Sequence, residues 1–332
     1  MKKFYTIPIF IPEDACPHRC SYCNQYHITN QTLSPTPQEV VATVEQYLKT
    51  IPFQNEDIRV KIAFFGGSFT GLPWQKQEQY LQAVQPYIEN KQVDSIQLST
   101  RPDYIDETIL RNLKQYHVSL IELGTPSMDP EVLRLAQRGH TVENIRRSAQ
   151  LITTHQFELG VQMMIGLPGD TAEKSFFSSL ELIKLGGTHA RIYPTLVIKG
   201  TLLERLYLTG KYTPLSLEEA VAWCVPIYKQ FESHQVTILR IGLHPSEGLI
   251  HQTELVAGPF HVSFKELVLT AIWKERLLAE TEKQRGDTFE ISVPREEINY
   301  AVGYQSSNRK WLEKRYKTVK FLISDFGFRI SE

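Results

Sequence analysis

The chain has 332 residues, of which 42% are hydrophobic and 22% are charged. This composition is typical of a folded globular protein and excludes a disordered, collagen-like or coiled-coil chain. Thirty-six basic residues nearly balance 37 acidic residues, and the formal net charge of -1 excludes a protein that is strongly cationic as a whole, although a local basic patch stays open.

The N-terminal residues predict neither a signal peptide nor a membrane segment. Lys2 and Lys3 supply the basic start of a signal peptide, but Pro8 and Pro12 interrupt the apolar helix that would have to follow. No apolar run approaches the roughly 18–20 residues that a membrane-spanning helix needs. We therefore expect a cytoplasmic protein that does not bind a membrane.

Strand-like and helix-like patterns alternate through the first three-quarters of the chain. Seven segments predict β-strands, at residues 4–11, 59–65, 95–99, 118–123, 159–165, 189–193 and 237–241. Helices are predicted between them, at 37–50, 74–90, 106–115, from 129, from 141, 170–185 and 216–234. Strands separated by helices indicate βαβ units and therefore a parallel sheet.

Several helix starts carry capping residues. Thr36 with Glu39, and Ser216 with Glu219, have the spacing of capping boxes. Asp106 and Asp170 stand where an N-cap is expected, because each precedes a helical pattern.

The repeated strand–helix units predict an α/β fold built on a full or partial β/α barrel. Polar residues follow each strand, and barrel enzymes place their sites at the carboxyl ends of the strands. A doubly wound sheet is the alternative. The pattern weakens near residue 245, so we predict a barrel domain over 1–245 and a small C-terminal α+β domain over 246–332 with a helix at 263–282.

Three of the four cysteines lie within eight residues, in the loop after the first predicted strand. Four cysteines are too few for a disulfide framework in a chain of this length, and the clustering of Cys16, Cys20 and Cys23 in a cytoplasmic chain indicates metal or redox chemistry. Three thiolates leave one iron of a four-iron cubane open to a substrate or cofactor. Structural zinc is the alternative, with His27 as a fourth ligand of a closed site.

The spacing Cys-x3-Cys-x2-Cys, with an aromatic residue before the last cysteine, resembles the signature of the radical S-adenosylmethionine (SAM) superfamily. More closely, the chain is similar to the radical-SAM half of the Elongator catalytic subunit and its bacterial relatives. The resemblance covers roughly residues 5–245. It is carried by residues 64–71 (FFGGSFTG), 99–103 (STRPD), 138–141 (RGHT), 164–169 (MIGLPG) and 193–200 (YPTLVIKG), and more weakly by 257–261 (AGPFH).

The resemblance implies a [4Fe-4S] cluster on Cys16, Cys20 and Cys23, with S-adenosyl-L-methionine bound to the open iron. It implies a low-potential electron donor of the flavodoxin or ferredoxin type, whose electron cleaves SAM to methionine and a 5′-deoxyadenosyl radical. That radical would abstract hydrogen from the substrate, while the protein supplies position and a dry cavity. Fewer than about 90 residues follow position 245, so no acetyltransferase half is expected among them on domain-size grounds.

The resemblance also implies SAM-binding positions near the cysteines. Gly66 and Gly67 would let backbone carbonyls approach the SAM amino group, because neither carries a side chain. Ser68 would add a polar contact, and Tyr22 would flank adenine.

Further SAM-binding positions are implied along the strands. Arg138 would pair with the SAM carboxylate, since arginine suits bidentate carboxylate recognition. Gln162 would contact the ribose, and Arg191 and Tyr193 would approach adenine or substrate. Glu122 is singled out by the residues themselves, because a charge inside an apolar strand is costly unless it is paired.

Two residues limit these expectations. Relatives carry glutamine where this chain has Pro126, which has no N–H to donate, so one contact is expected to be lost or supplied elsewhere. Cys224 lies in an apolar helix and is interpreted as a small buried hydrophobic residue, so no second cluster is expected.

The sequence feature that bears on the substrate is a stretch of basic and aromatic residues at 308–317. Such segments can track phosphates and stack bases, which makes RNA a candidate substrate. The alternative is an amphipathic helix with Trp311, Leu312 and Tyr316 packed inward. A small metabolite held by His244, His251 or His261 also stays open, as does a non-catalytic, zinc-stabilised RNA-binding protein.

Overall fold

Eleven β-strands occur in a computed structural model that describes residues 3–12, 16, 20–24, 33–53 and 58–324. In chain order they are β1 (Lys3–Ile11), β2 (Ile58–Gly66), β3 (Ser95–Thr100), β4 (Val118–Gly124), β5 (Glu158–Ile165), β6 (Gly187–Pro194), β7 (Val197–Ile198), β8 (Thr237–Ile241), β9 (Leu255–Ala257), β10 (Thr288–Pro294) and β11 (Thr318–Ser324). All seven predicted strands are confirmed, with bounds that differ by at most two residues.

Twelve α-helices accompany the strands in the same residues. They are α1 (Pro37–Leu48), α2 (Trp74–Glu89), α3 (Glu107–Lys114), α4 (Pro130–Leu135), α5 (Val142–Thr154), α6 (Ala172–Lys184), α7 (Leu202–Leu208), α8 (Leu217–Ser233), α9 (Glu247–Ile250), α10 (Phe264–Lys283), α11 (Ile298–Val302) and α12 (Ser307–Glu313). None of them is long and apolar enough to cross a membrane.

The large sheet is parallel throughout and has the strand order β1-β2-β3-β4-β5-β6-β8. A doubly wound sheet reverses its strand order near the middle, and this sheet does not. The doubly wound alternative is therefore wrong, and the fold is a curled half-barrel of seven strands with helices packed outside. All the carboxyl ends lie at one rim, which is where barrel enzymes build their sites.

Local capping explains several helix starts. The Thr36 side chain accepts from the Glu39 N–H at 3.3 Å while the Glu39 carboxylate accepts from the Thr36 N–H at 2.7 Å, and Ser216 with Glu219 repeats this capping box. Asp106 accepts from the Ile109 N–H at 2.8 Å, as predicted.

One predicted cap is wrong. Helix α6 is capped by Thr171, whose hydroxyl accepts from the Lys174 N–H at 3.3 Å. Asp170 instead accepts from the Gly166 N–H at 2.9 Å and from the Ser175 hydroxyl at 2.7 Å. Its carboxylate closes the glycine-rich turn after β5, because the chain folds back there before the helix begins.

Two apolar clusters divide the C-terminal region. The first half of α10, including Phe264 and Val268, packs into the large core of the half-barrel. The second half, with Trp273 and Leu277, packs into a separate cluster with Phe289 and other side chains of the C-terminal α+β unit. The α+β character of that unit is confirmed, while the boundary near residue 245 stays a prediction.

The sequence patterns missed three short elements at the rim, namely α7, α9 and the antiparallel β7–β9 pair. Their lengths are two to seven residues, which is too short for hydrophobic periodicity to be visible. They matter because α7 and β7 help to hold the cysteine loop.

Candidate active site

The described part of the cysteine loop is held between two helices at the rim. The Ser21 N–H donates to the Ala136 carbonyl at 3.0 Å, just after α4, and the Ser21 carbonyl accepts from the Leu203 N–H of α7 at 2.8 Å. The Asn24 amide donates to the Lys199 carbonyl at 3.3 Å. These contacts fix residues 20–24 through the Ser21 backbone and the Asn24 side chain, so the thiols are placed by the fold around them.

The three cysteines are all free thiols. Cys20 is buried, and Cys16 and Cys23 are partly exposed. Burial and the neighbouring Cys20 thiol raise the pKa of Cys16, while the Arg138 and Arg101 guanidinium groups and a hydrogen bond from the Ser68 backbone N–H lower it less. The causes of this shift show that two thiols, two arginines and the turn after β2 meet at one place.

Arg138 lies directly against the cysteines. Its Nη1 donates to the Cys20 Sγ at 3.3 Å and its Nη2 donates to the Gly124 carbonyl at 3.3 Å, at the end of β4. Burial alone would lower the pKa of the guanidinium, but the Tyr22 hydroxyl and the Cys20 and Cys23 thiols raise it above its usual value. Arg138 is not a solvated surface charge, because its Nε is buried and has no hydrogen-bond partner among the described residues.

Gly124 makes room for Arg138 and was not predicted as a site residue. A Cβ atom on Gly124 would lie 2.3 Å from the Arg138 Nη2. The same segment explains how Pro126 is accommodated. The strand contacts beyond β4 use the Thr125 N–H, which donates to the Gln162 carbonyl at 3.1 Å, and the Pro126 carbonyl, which accepts from the Met164 N–H at 3.0 Å.

The Gly66-Gly67-Ser68 turn brings the end of β2 against the end of β1. Gly66 has φ +109°, and a Cβ there would lie 2.2 Å from the Ile11 carbonyl oxygen, so only glycine fits. The Gly67 N–H donates to that same carbonyl at 2.7 Å. Ser68 is buried, and the turn holds its N–H beside Cys16.

Tyr22 lies between two small apolar clusters at the rim. One contains Ala136 and Leu167, and the other contains Val197 and Leu203. Burial raises the pKa of its hydroxyl, with the neighbouring Cys20 and Cys23 thiols acting in the same direction. A solvent-facing tyrosine is therefore excluded, and the role beside adenine stays a prediction.

Glu122 is fully buried inside the half-barrel and is the centre of a polar network. Arg191 donates to its carboxylate through Nε at 2.5 Å and Nη2 at 3.1 Å. The Gln97 and Gln162 amides donate to the two carboxylate oxygens at 3.1 and 3.0 Å. A Cβ on Gly160 would lie 2.6 Å from the Glu122 Cγ, so that glycine provides the space.

The network joins the other predicted strand residues. Gln162 also donates to the Ser99 hydroxyl at 2.9 Å, and the Arg191 guanidinium lies 4.7 Å from the centre of the Phe65 ring. Burial raises the pKa of the Tyr193 hydroxyl, which neighbours Arg191. The structure therefore brings Glu122, Gln162, Arg191 and Tyr193 together, and their contacts with a cofactor stay predictions.

Other singled-out residues lie elsewhere. Cys224 is fully buried in the core, where burial raises its pKa, as expected of a small hydrophobic residue. His261 accepts from the Ser263 N–H through Nδ1 at 3.0 Å. His27 falls outside the described residues. Within the described ranges, which include the three cysteines but not His27, no group of three or more His, Cys, Asp or Glu side chains is close enough to hold a single metal ion.

These features define a parallel β/α half-barrel with three free cysteines and a buried arginine at the carboxyl ends of its strands. The sequence matches the family described as the Radical SAM superfamily over residues 10–176, which is half of the chain. It also matches the Radical_SAM C-terminal domain over residues 188–274. The chain belongs to the radical SAM superfamily and is therefore an enzyme.

Relatives and solved structures agree with this assignment. The chain is 23% identical over 230 residues to a tRNA uridine(34) acetyltransferase of Dehalococcoides mccartyi, covering 60% of this chain and 50% of that protein. It is 29% identical over 187 residues to Elongator complex protein 3 of Dictyostelium discoideum, covering 49% of this chain and 34% of that protein. The chain thus spans half or less of the length of these relatives.

The archaeal Elp3 of Methanocaldococcus infernus, solved with an N-terminal deletion, has a similar fold. The TM-score is 0.64 at 22% identity, and the match covers 83% of this chain and 64% of that one. At this identity the comparison establishes the fold. The superfamily implies a [4Fe-4S] cluster and SAM.

Proposed function

We propose that this enzyme holds a [4Fe-4S] cluster on Cys16, Cys20 and Cys23, cleaves SAM to methionine and a 5′-deoxyadenosyl radical, and abstracts hydrogen from an RNA substrate, with tRNA as the leading class. The contact between the Arg138 Nη1 and the Cys20 Sγ carries the proposal. It supports the proposal because arginine suits carboxylate recognition and Arg138 lies against a thiol of the three-cysteine loop.

The residues present fit the cluster and SAM. Buried N–H groups are normally hydrogen-bonded, yet the Arg138 Nε and the Arg101 Nη1 are buried without a partner, and both guanidinium groups neighbour the cysteines. An anionic sulfur cluster or a carboxylate would supply the missing acceptors. Three thiolates also match a cubane with one open iron.

Each protein group has a defined part in this proposal. When bound and reduced, the cluster supplies the electron that breaks the sulfonium C–S bond of SAM. The thiolates hold the cluster, and Arg138 binds the carboxylate of SAM. Gly67 would present its backbone to the amino group, while Gly66 lets the end of β2 pack against Ile11 of β1.

Around this site the buried network of Glu122, Gln162 and Arg191 keeps the interior rigid, because Gln162 and Arg191 both donate to the Glu122 carboxylate from neighbouring strands. The electron would come from a low-potential donor of the flavodoxin or ferredoxin type.

The C-terminal unit supports RNA as the substrate. Arg309, Lys310, Lys314 and Arg315 are all exposed, while Leu312 is fully buried. Segment 308–317 is thus an amphipathic helix and turn, as the alternative interpretation held, and its cations face solvent. Arg315 lies 6.0 Å from the centre of the Trp311 ring, and Arg309 lies 5.8 Å from that of Phe321. Cations over aromatic rings are suited to phosphates and bases.

Anaerobic reconstitution of the wild-type chain with iron and sulfide tests the proposed function. We expect a brown protein with broad absorbance near roughly 400 nm, which forms methionine and 5′-deoxyadenosine from SAM after reduction. A colourless protein that binds one zinc ion tightly would overturn the proposal in favour of the zinc-stabilised alternative.

Arg138→Gln should weaken SAM binding by about 10- to 150-fold, because a charge-assisted hydrogen bond contributes about 1.5–3 kcal/mol. Iron content per chain should be unchanged, since the thiolates are the ligands. Equilibrium binding of SAM to the reconstituted protein measures the effect. Arg146→Gln is the control, because Arg146 forms an exposed pair with Glu181 on the outer helices. Unchanged SAM affinity in Arg138→Gln would remove Arg138 from the site.

Neutralising Arg309, Lys310, Lys314 and Arg315 to Gln should weaken RNA binding and reduce its salt dependence. Each lost phosphate contact lowers the slope of log K against log salt by about 0.7–0.9. Fluorescence anisotropy with a tRNA at several salt concentrations measures both quantities, and SAM cleavage without substrate serves as the control for folding. Wild-type protein that binds no tRNA at low salt would count against RNA. Unaltered binding after all four changes would place the RNA site elsewhere.

A further inference from the structure

A second buried guanidinium lies beside the cysteines and has no assigned role. Arg101 follows β3 directly and is only 2% exposed. Its Nε and Nη2 donate to the two carboxylate oxygens of Asp103 at 2.9 and 2.8 Å. This bidentate pair uses two of the three guanidinium nitrogens and fixes the direction of the third, because a guanidinium is planar and rigid.

The third nitrogen, Nη1, is buried and has no hydrogen-bond partner within the described part of the chain. Buried donors in folded proteins are rarely left unpaired. An arginine whose purpose was only to pair with Asp103 would not require a buried, unpaired nitrogen. The unpaired N–H therefore indicates a ligand that supplies an acceptor.

The position of Arg101 identifies the side of the site that it faces. Thr100 pairs with Leu123 across β3 and β4, so Arg101 lies level with Gly124, whose carbonyl receives Arg138. Arg138 in turn contacts Cys20, and the charges of both arginines act on the thiol of Cys16. Arg101 therefore leaves the sheet at the same rim as the contact between Arg138 and Cys20, one strand away.

Asp103 also lies close to a buried histidine. The buried His140 has its Nδ1 3.9 Å from the Asp103 Oδ1. Burial alone would raise the pKa of Asp103, but the hydrogen bonds and charge of Arg101 lower it below its usual value. Asp103 is therefore a charged clamp on Arg101, which keeps the guanidinium in one orientation.

We propose that Arg101 contacts the iron–sulfur cluster, donating a hydrogen bond through Nη1 to one of its sulfurs and stabilising the reduced cluster. The inference rests on the proposed function, since it requires the cluster. One-electron reduction by a low-potential donor adds one negative charge, and a fixed buried cation favours the more negative state. Hydrogen bonds to the sulfurs and nearby charges are the means by which proteins set cluster potentials.

The midpoint potential of the reconstituted, SAM-free protein tests this inference. It is measured by anaerobic redox titration followed by electron paramagnetic resonance, with iron and sulfide per chain measured alongside. Arg101→Gln should shift the potential to more negative values with the iron content retained. Arg101→Lys, which keeps the charge, should recover part of the shift. Arg134→Gln is the matched control, because Arg134 forms the same bidentate pair with Glu131 but is exposed.

If the midpoint potential of Arg101→Gln equals that of the wild type, the inference is overturned. If SAM affinity falls while the potential stays unchanged, Arg101 is a SAM contact instead. If Arg101→Gln fails to load the cluster, Arg101→Lys gives the answer. Lysine keeps the charge but cannot reproduce the fixed guanidinium hydrogen bond, so its potential should still lie below that of the wild type, and an unchanged potential there would also overturn the inference. Failure of the proposed function looks different, because the wild type itself would then load no cluster.

Discussion

Cys20→Ala should contain no stable cluster after anaerobic reconstitution and should cleave no SAM. The expected loss is complete, because two thiolates hold a four-iron cubane poorly and Cys20 is the buried cysteine of the three. Cys16→Ala and Cys23→Ala should behave in the same way. Iron analysis, the absorbance spectrum and the yield of 5′-deoxyadenosine measure the outcome.

Cys224→Ala is the control for this experiment. Its thiol is fully buried in the core of the half-barrel, so the change should leave cluster content and SAM cleavage intact. If Cys20→Ala cleaves SAM as well as the wild type does, the three cysteines are not the cluster ligands, whatever the control shows.

Glu122→Gln should lower the free energy of unfolding by about 3–5 kcal/mol, because removing one partner of a buried ion pair leaves the other charge unpaired. Arg191 would keep its charge, with only 12% of its side chain exposed and its two hydrogen bonds to the carboxylate altered. Denaturant unfolding of the chain, compared with the wild type, measures the loss.

Glu158→Gln provides the matched control on the neighbouring strand β5. Its pair with Lys61 is partly solvent-exposed, so the change should cost less than about 1 kcal/mol. The double change Glu122→Gln with Arg191→Met should cost less than Glu122→Gln alone, because it removes the unpaired charge. A loss of only about 1 kcal/mol in Glu122→Gln would show that the network does not stabilise the half-barrel.

The structure also explains why Glu122 could be singled out in advance while its role could not. A charge in an apolar strand must find a partner, and that much follows from the cost of burial. The partner, Arg191, is 69 residues away in the chain. Only the order of β4, β5 and β6 in the sheet brings the two together.

The chain sequence by itself determined the local features of this protein. Capping boxes, strand runs and cysteine spacing depend on residues within a few positions of each other, so the pattern predicted the seven strands, the main helices and the three-cysteine loop. Asp170 shows where local patterns fail to predict a contact. Its carboxylate closes the turn at Gly166 and does not form the helix cap that was expected of it.

The tertiary structure decided how the sheet curls and which side chains meet at its rim. A seven-strand half-barrel and a doubly wound sheet share the same local alternation, and only strand order separates them. The roles of Gly124 and Gly160 follow only from the folded structure, where Arg138 and Glu122 occupy the space that a Cβ atom would take. The proposed role of Arg101 also depends on the folded structure, because it rests on a buried nitrogen that has no acceptor among the described residues. These features depend on contacts between residues distant in sequence, which no local pattern encodes.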